Sequence, residues 1–228
     1  MMDQTERTRV LSDLVKINSV NGNELEVANY LRRLFEQHGL TADVQPFGEQ
    51  RANLVVEVGT GKPILGITGH MDTVALGDEK KWHHAPLSAM IEGDRLYGRG
   101  AADMKSGLAA QVIALIELVE SGTLTGHVRF IATAGEEYGT PGANRLEEAG
   151  VAKDLNAWWS GSPPVGTSST PTREATTTGS FQLARRCTLR NRSAAKTPWS
   201  PWSTSPWPNA TSSLTFRMTP AWGRSSTR

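Results

Sequence analysis

Five side chains in this sequence can do chemistry together: His70, Asp72, Asp103, Glu136 and Glu137. One imidazole with several carboxylates is a hard, oxygen-rich donor set of the kind that holds Zn²⁺, Co²⁺ or Mn²⁺. A carboxylate has two oxygens, so Asp103 can bridge two ions roughly 3.5–4 Å apart. Two adjacent glutamates on an extended backbone cannot both face one ion, so one is expected to be a ligand and the other a base acting on water. Asp72 is placed to orient the His70 ring from behind. Each residue also has an ordinary structural explanation: a core histidine beside a capping aspartate, a helix N-cap at Asp103, a solvated glutamate pair. Their shared placement at the ends of elements weighs against all of these at once.

Those elements follow from apolar spacing. Pro63 to Thr68 is a short apolar run ending at Gly69, which predicts a buried strand with His70 and Asp72 at its carboxyl end. Residues two apart in extended chain share a side, and the carboxyl ends of strands are where α/β sheets place their crevices. Asp103 lies in Gly98-Arg99-Gly100-Ala101-Ala102-Asp103-Met104-Lys105, just before a predicted helix over Lys105 to Glu120. Glu136 and Glu137 follow a predicted strand over His127 to Ala134. Upstream, Asp3 to Lys16 and a segment from Asn23 or Glu24 to the stop at Gly39 carry helical apolar stripes. Thr41 to Phe47 and Asn53 to Val58 alternate as strands. The order of elements predicts an α/β protein, a mixed sheet flanked by helices.

Composition narrows the function classes. The chain has 228 residues and a net charge of +1, so no global field selects a nucleic-acid or membrane partner. A single cysteine, Cys187, rules out an internal disulfide framework and fits a reducing compartment. No apolar run approaches a membrane span, and the first residues carry no signal-peptide core. A cytoplasmic protein is expected.

The charge is unevenly spread. Residues 1–155 hold 22 acidic and 15 basic side chains, whereas residues 156–228 hold 9 basic ones and one acid, Glu174. Six of the seven tryptophans lie in the second segment, among dense Ser, Thr and Pro. Its arginines are scattered and its tryptophans follow no fold signature, which argues against nucleic-acid binding. Low apolar periodicity predicts disorder there.

Gly69-His70-Met71-Asp72-Thr73-Val74, Trp82, Leu96-Tyr97-Gly98-Arg99-Gly100, Asp103-Met104-Lys105 and Gly135-Glu136-Glu137, taken in this order, resemble the M20 metallopeptidase and deacylase family. The likeness covers about residues 5–157 and is nearest to the desuccinylase/deacetylase branch. It implies a truncated zinc-exopeptidase-like catalytic domain and two divalent ions, Zn²⁺ or Co²⁺ or Mn²⁺. His70 would bind one ion, Glu137 the other, and Asp103 both. Glu136 would be the general base and Asp72 the support for His70. The implied reaction is hydrolysis of the amide of a small N-acyl amino acid; a dipeptidase or carboxypeptidase, or a vestigial non-catalytic binder, are the alternatives. His83 and His84 match no metal position of the family and read as loop residues.

Family members continue with a Gly-Glu-Pro-Thr motif, a dimerisation domain bearing a histidine, and a last metal-binding histidine, none of which appears here. The resemblance therefore implies a homodimer for the full-length family, but without its dimerisation domain in this chain. Residues 1–157 read as a partial catalytic domain and 158–228 as an aberrant tail. A shifted reading frame accounts for the tail: Trp158-Trp159 is encoded TGGTGG, and Trp158 to Pro164 read two bases later can give Val-Val-Gly-Glu-Pro-Thr. Arg185 to Arg190 and Ala195 to Ser205 yield family-like segments in the same way. As written, the chain lacks one ligand for each ion, and little or no activity is expected of it.

Overall fold

A capping box starts the first helix: Asp3 accepts the Glu6 N–H and the Glu6 side chain accepts the Asp3 N–H, each at 2.9 Å. Helix α1 (Gln4–Lys16) buries Val10, Leu14 and Val15. The stripe of α2 (Glu24–Gln37) buries Val27, Ala28, Leu31, Leu34 and Phe35. A computed structural model describes residues 1–161 and the backbone strand Ser180–Leu183 of the chain.

Strands β1 (Ala42–Phe47) and β2 (Arg51–Val58) form an antiparallel hairpin with Ala42 opposite Val56. Strand β3 (Ile64–His70) follows, then a separate hairpin of β4 (Met90–Glu92) and β5 (Arg95–Tyr97). Helix α3 (Ser106–Glu120) leads to β6 (His127–Thr133), α4 (Pro141–Glu148) and β7 (Ala157–Ser160); β8 is Ser180–Leu183. The main sheet runs β1-β2-β6-β3-β7-β8. Strand β3 lies parallel to both β6 and β7, and the other pairings are antiparallel. The sheet is mixed and helix-flanked, as its sequence pattern predicts.

Both faces of the sheet are covered. Leu54 and Val56 of β2 and Phe130 of β6 pack with Phe35, Leu31, Leu108, Val112 and Ile116 from the helices, in the larger core. The Phe35 and Phe130 rings meet tilted, 5.6 Å between centroids. Val55, Ile64 and Ile131 face the other way, onto Leu146 of α4 and Leu155. Each fully buried Leu, Ile or Phe contributes on the order of 2 kcal/mol, and these residues hold β3 and β6 in register, Gly69 opposite Ala132 and His70 opposite Thr133. Because β3, β6 and β7 are parallel, their carboxyl ends share one edge.

Three features depart from the sequence-based expectation. Strand β3 extends through His70 rather than ending at Thr68. Helix α4 and strand β7 are elements that apolar spacing does not announce. Strand β7 lies just after the compositional break near Asn156, pairing Trp158 with Gly66 and Trp159 with Ile67. Apart from residues 158–161 and β8, the expected tail of 158–228, with its frame-shifted segments, lies outside the described residues. No helix of the described residues is long and apolar enough to cross a membrane.

Candidate metal centre

The carboxyl end of β3 delivers His70, which is 3% exposed. Its two ring nitrogens face different partners. Nδ1 lies 3.0 Å from the Asp72 carbonyl and 3.5 Å from Asp72 Oδ1. Nε2 lies 3.3 Å from Asp103 Oδ1 and 3.9 Å from Glu136 Oε2. The ring is thus held on its Nδ1 side and presents Nε2 to the acids, the usual division between support and ligand in a metal-binding histidine.

Asp103 reaches His70 through an irregular turn. Residues Ala101–Lys105 form a π-type turn ahead of α3, with Asp103 and Met104 in non-helical conformation and a cis Asp103–Met104 peptide. Asp103 makes no N-cap; the N-cap position of α3 is Lys105, without a side-chain cap bond. Met104 is buried against β3, its Sδ 3.2 Å from the His70 N–H. Gly69 makes room for it: a Cβ there would stand 2.8 Å from Met104 Cε and 3.1 Å from Gln111 Oε1.

Strand β6 leads into the turn that carries Glu136 and Glu137. Asp72, fully buried, accepts the Glu136 N–H on Oδ1 at 2.9 Å and the Glu137 N–H on Oδ2 at 3.0 Å. The backbone here is a turn, not a strand, so side-chain alternation does not separate the two glutamates as expected. Their positions in the turn do: Glu137 is half-buried and joins His70 and Asp103, with one ligand atom from each within 4.8 Å of the others, while Glu136 is half exposed beside Nε2.

The electrostatics describe a site short of positive charge. Burial opposes a charge on His70, but hydrogen bonds to Asp103 and Asp72 and the charge of Glu136 outweigh it, and the imidazole is pushed up to about 10. The Glu137 carboxyl is raised, by burial first and then by Asp103, Glu136 and Asp72, with His70 opposing. Asp72 is lowered: burial raises it, but the His70 hydrogen bond and charge and the two backbone N–H groups prevail. A divalent cation is the species that relieves this crowding of carboxylates, and the donors fit the ions their chemistry implies.

The five expected site residues therefore come together at one edge of the sheet. His83 and His84 do not: His83 is exposed, and His84 pairs with Glu92 at 3.2 Å beside Tyr97. Residues that the sequence reading passed over brace the site. Ser19 Oγ donates to the Met71 carbonyl at 2.8 Å, and the Thr73 N–H donates to the Ser19 carbonyl at 3.0 Å. Asn53, buried in β2, donates from Nδ2 to Gly142 O at 3.0 Å and accepts the Ala134 N–H at 3.1 Å, fixing both ends of the glutamate turn. Lys105 Nζ donates to Leu14 O and Ile17 O, each at 2.8 Å, tying the Asp103 turn to the end of α1. Lys105 and Thr73 carried a signal, their places in the Asp-Met-Lys and Gly-His-Met-Asp-Thr-Val runs; Ser19 and Asn53 carried none as site residues.

Comparison with known proteins decides the kinship, since the model of peptidase family M20/M25/M40 matches residues 66–214. The chain belongs to this family. It is 43% identical over 154 residues to the probable succinyl-diaminopimelate desuccinylase of Staphylococcus aureus strain MRSA252, covering 67% of this chain and 38% of that protein. It is 33% identical over 141 residues to the succinyl-diaminopimelate desuccinylase of Ehrlichia canis strain Jake, covering 58% and 37%. Among solved structures it resembles the M20 family metallo-carboxypeptidase Sso-CP2 of Sulfolobus solfataricus, with a TM-score of 0.62 and 27% identity over 70% of this chain and 37% of that one. The chain thus spans under two-fifths of the length of these M20 relatives.

Proposed function

We propose that this chain carries the metal-binding half of an amide hydrolase acting on an N-acyl amino acid, N-succinyl-diaminopimelate in first place. The observation that carries the proposal is the convergence of His70, Asp103 and Glu137, one ligand atom of each within 4.8 Å of the others, with Glu136 beside them. Similarity to two desuccinylases supports the substrate class.

His70 and Asp103 would hold one divalent ion, Zn²⁺, Co²⁺ or Mn²⁺, and Asp103 and Glu137 would hold a second. The ions would supply Lewis acidity to the amide carbonyl and acidify a water. Glu136 accepts the proton of the attacking water and passes it to the leaving amine as the C–N bond breaks, giving a carboxylate and a free amine. Asp72 holds the His70 ring on its Nδ1 side and fixes the backbone from which both glutamates project.

His70, Asp103 and Glu137 leave each ion one protein ligand short, so turnover by the chain alone is expected to be little or none. The test is release of free amine from N-succinyl-diaminopimelate, N-acetylornithine and a dipeptide, with Co²⁺ or Zn²⁺ present. Measurable hydrolysis by the 228-residue chain contradicts the expected inactivity. A rate higher on the dipeptide than on the succinyl compound would favour the second reading, an exopeptidase, to which the carboxypeptidase likeness points. If turnover is found and Glu136→Ala leaves it unchanged, Glu136 is not the base.

A further inference from the structure

Glu24 is the least comfortable group in the described residues. It opens α2, is 0% exposed, and neither carboxylate oxygen has a hydrogen-bond partner among the described residues. An acid in the first turn of a helix already gains from the macrodipole at the surface, so the helix start alone does not call for its burial. Burying a carboxylate without hydrogen bonds is costly. Burial accordingly raises its pKa, with Asp72 adding to the rise; its own N–H, Arg51 and the Gly135 N–H pull the other way, without coming into hydrogen-bond geometry.

The side chain faces Arg51, whose Nη2 lies 3.8 Å from Glu24 Oε1. Arg51 starts β2, and its guanidinium lies on the turn after β6. Gly135, at φ +73°, has a vacant Cβ position only 2.8 Å from Arg51 Nη1. The next two residues are Glu136 and Glu137, whose N–H groups are fixed by Asp72. Asp72 thus holds the backbone of the turn by hydrogen bonds and the Arg51 guanidinium lies against it at Gly135, with Glu24 the carboxylate that faces that guanidinium.

We propose that Glu24, acting through Arg51, is a positioning residue for the turn that carries Glu136 and Glu137. This rests on reading His70, Asp103 and Glu137 as metal ligands. Loss of such supports typically costs 10–100-fold in metal affinity.

The test is Co²⁺ titration of the full 228-residue chain, followed by visible absorption, with urea unfolding measured alongside. Glu24→Gln and Arg51→Gln are each expected to weaken Co²⁺ binding about tenfold and change the absorption intensity. The double variant is expected to be no weaker than either single one, because both act through one contact. Arg51→Lys keeps a cation beside Glu24 but withdraws the planar fork from Gly135; it should lose Co²⁺ affinity with its unfolding midpoint little changed, and it decides the matter if Glu24→Gln does not fold. Wild-type Co²⁺ affinity and spectrum in Arg51→Lys or in folded Glu24→Gln overturns the proposal. His70→Ala separates the two levels: if it binds Co²⁺ as the wild type does, the ligand assignment fails, whereas if it loses the ion and the Glu24 and Arg51 variants do not, only the positioning role fails.

Discussion

Asp72 and Glu136 are joined across 64 residues of sequence by one bond, the Glu136 N–H donating to Asp72 Oδ1 at 2.9 Å. With the neighbouring bond from Glu137 to Oδ2, it makes Asp72 a clasp between the end of β3 and the turn after β6. The aspartate thus does more than orient an imidazole: it fixes the backbone of both glutamates relative to His70.

Replacing this clasp has a pH signature. The Asp72 carboxyl titrates below its ordinary value in the folded chain. Its contribution to stability is therefore full above the unfolded pKa of about 3.9 and is lost as pH falls through the lower folded value. Asp72→Asn keeps the shape but not the charge. Urea unfolding from pH 7 down to pH 3 should show the gap between wild type and variant narrowing at the acid end; a gap constant with pH would show that the carboxylate charge contributes nothing.

The two glutamates should separate cleanly in metal binding. Glu137→Gln is expected to lower Co²⁺ affinity at least tenfold, and Glu136→Gln to change it by less than about threefold. Calorimetric titration of both variants checks this. Equal losses would mean that the pair acts as one ligand group and that neither is reserved as a base.

Lys105 supplies a prediction on the alkaline side. Burial pushes its ammonium down to about 8, with Glu26 and Asp72 opposing. The unfolded chain then binds more protons than the folded one between about pH 8 and 10.4, so stability rises with pH across that window. Lys105→Met removes this rise and leaves the Leu14 and Ile17 carbonyls without their donor, a loss of about 1–3 kcal/mol at pH 7. Unfolding curves at pH 7 and pH 9.5 measure both effects. A variant as stable as the wild type at pH 7 would remove Lys105 as the tie between α1 and the Asp103 turn.

Gly69→Ala probes the seat of Met104. The added methyl would press on Met104 Cε and Gln111 Oε1. Overpacking of this kind costs about 1–3 kcal/mol, and because Met104 follows Asp103 directly, Co²⁺ affinity should fall as well. Loss of stability with unchanged Co²⁺ binding would show that Asp103 holds its place independently of Met104.

The helices and central strands were legible because their signals are local. Asp3 with Glu6 marks the start of α1, Gly39 follows α2, and the apolar spacing of Leu108, Val112 and Leu115 draws one face of α3. The chemical residues stood out by type and by their place at element ends. Less visible were the contacts that aim them. Nothing in the run from Gly100 to Lys105 announces a π-type turn that swings Asp103 to His70, and the Asp72 clasp is a long-range bond with no local pattern. Helix α4 is only eight residues long, and its one cue is Pro141 at the first turn. Strand β7 is built around a Trp-Trp pair just after the compositional break, where apolar alternation gives no guide. The buried charges of Glu24 and Lys105 were illegible for the same reason, since sequence shows a residue's type but not its burial.

Co²⁺ binding by the 228-residue chain, set against a His70→Ala/Asp103→Ala/Glu137→Ala variant, tests the central claim most directly. The wild type should bind at least one ion, with a visible absorption band and release of protons on binding, and the triple variant should lose the band while keeping its helical circular dichroism. Equal Co²⁺ affinity in the two proteins would contradict the metal centre and the hydrolase built on it.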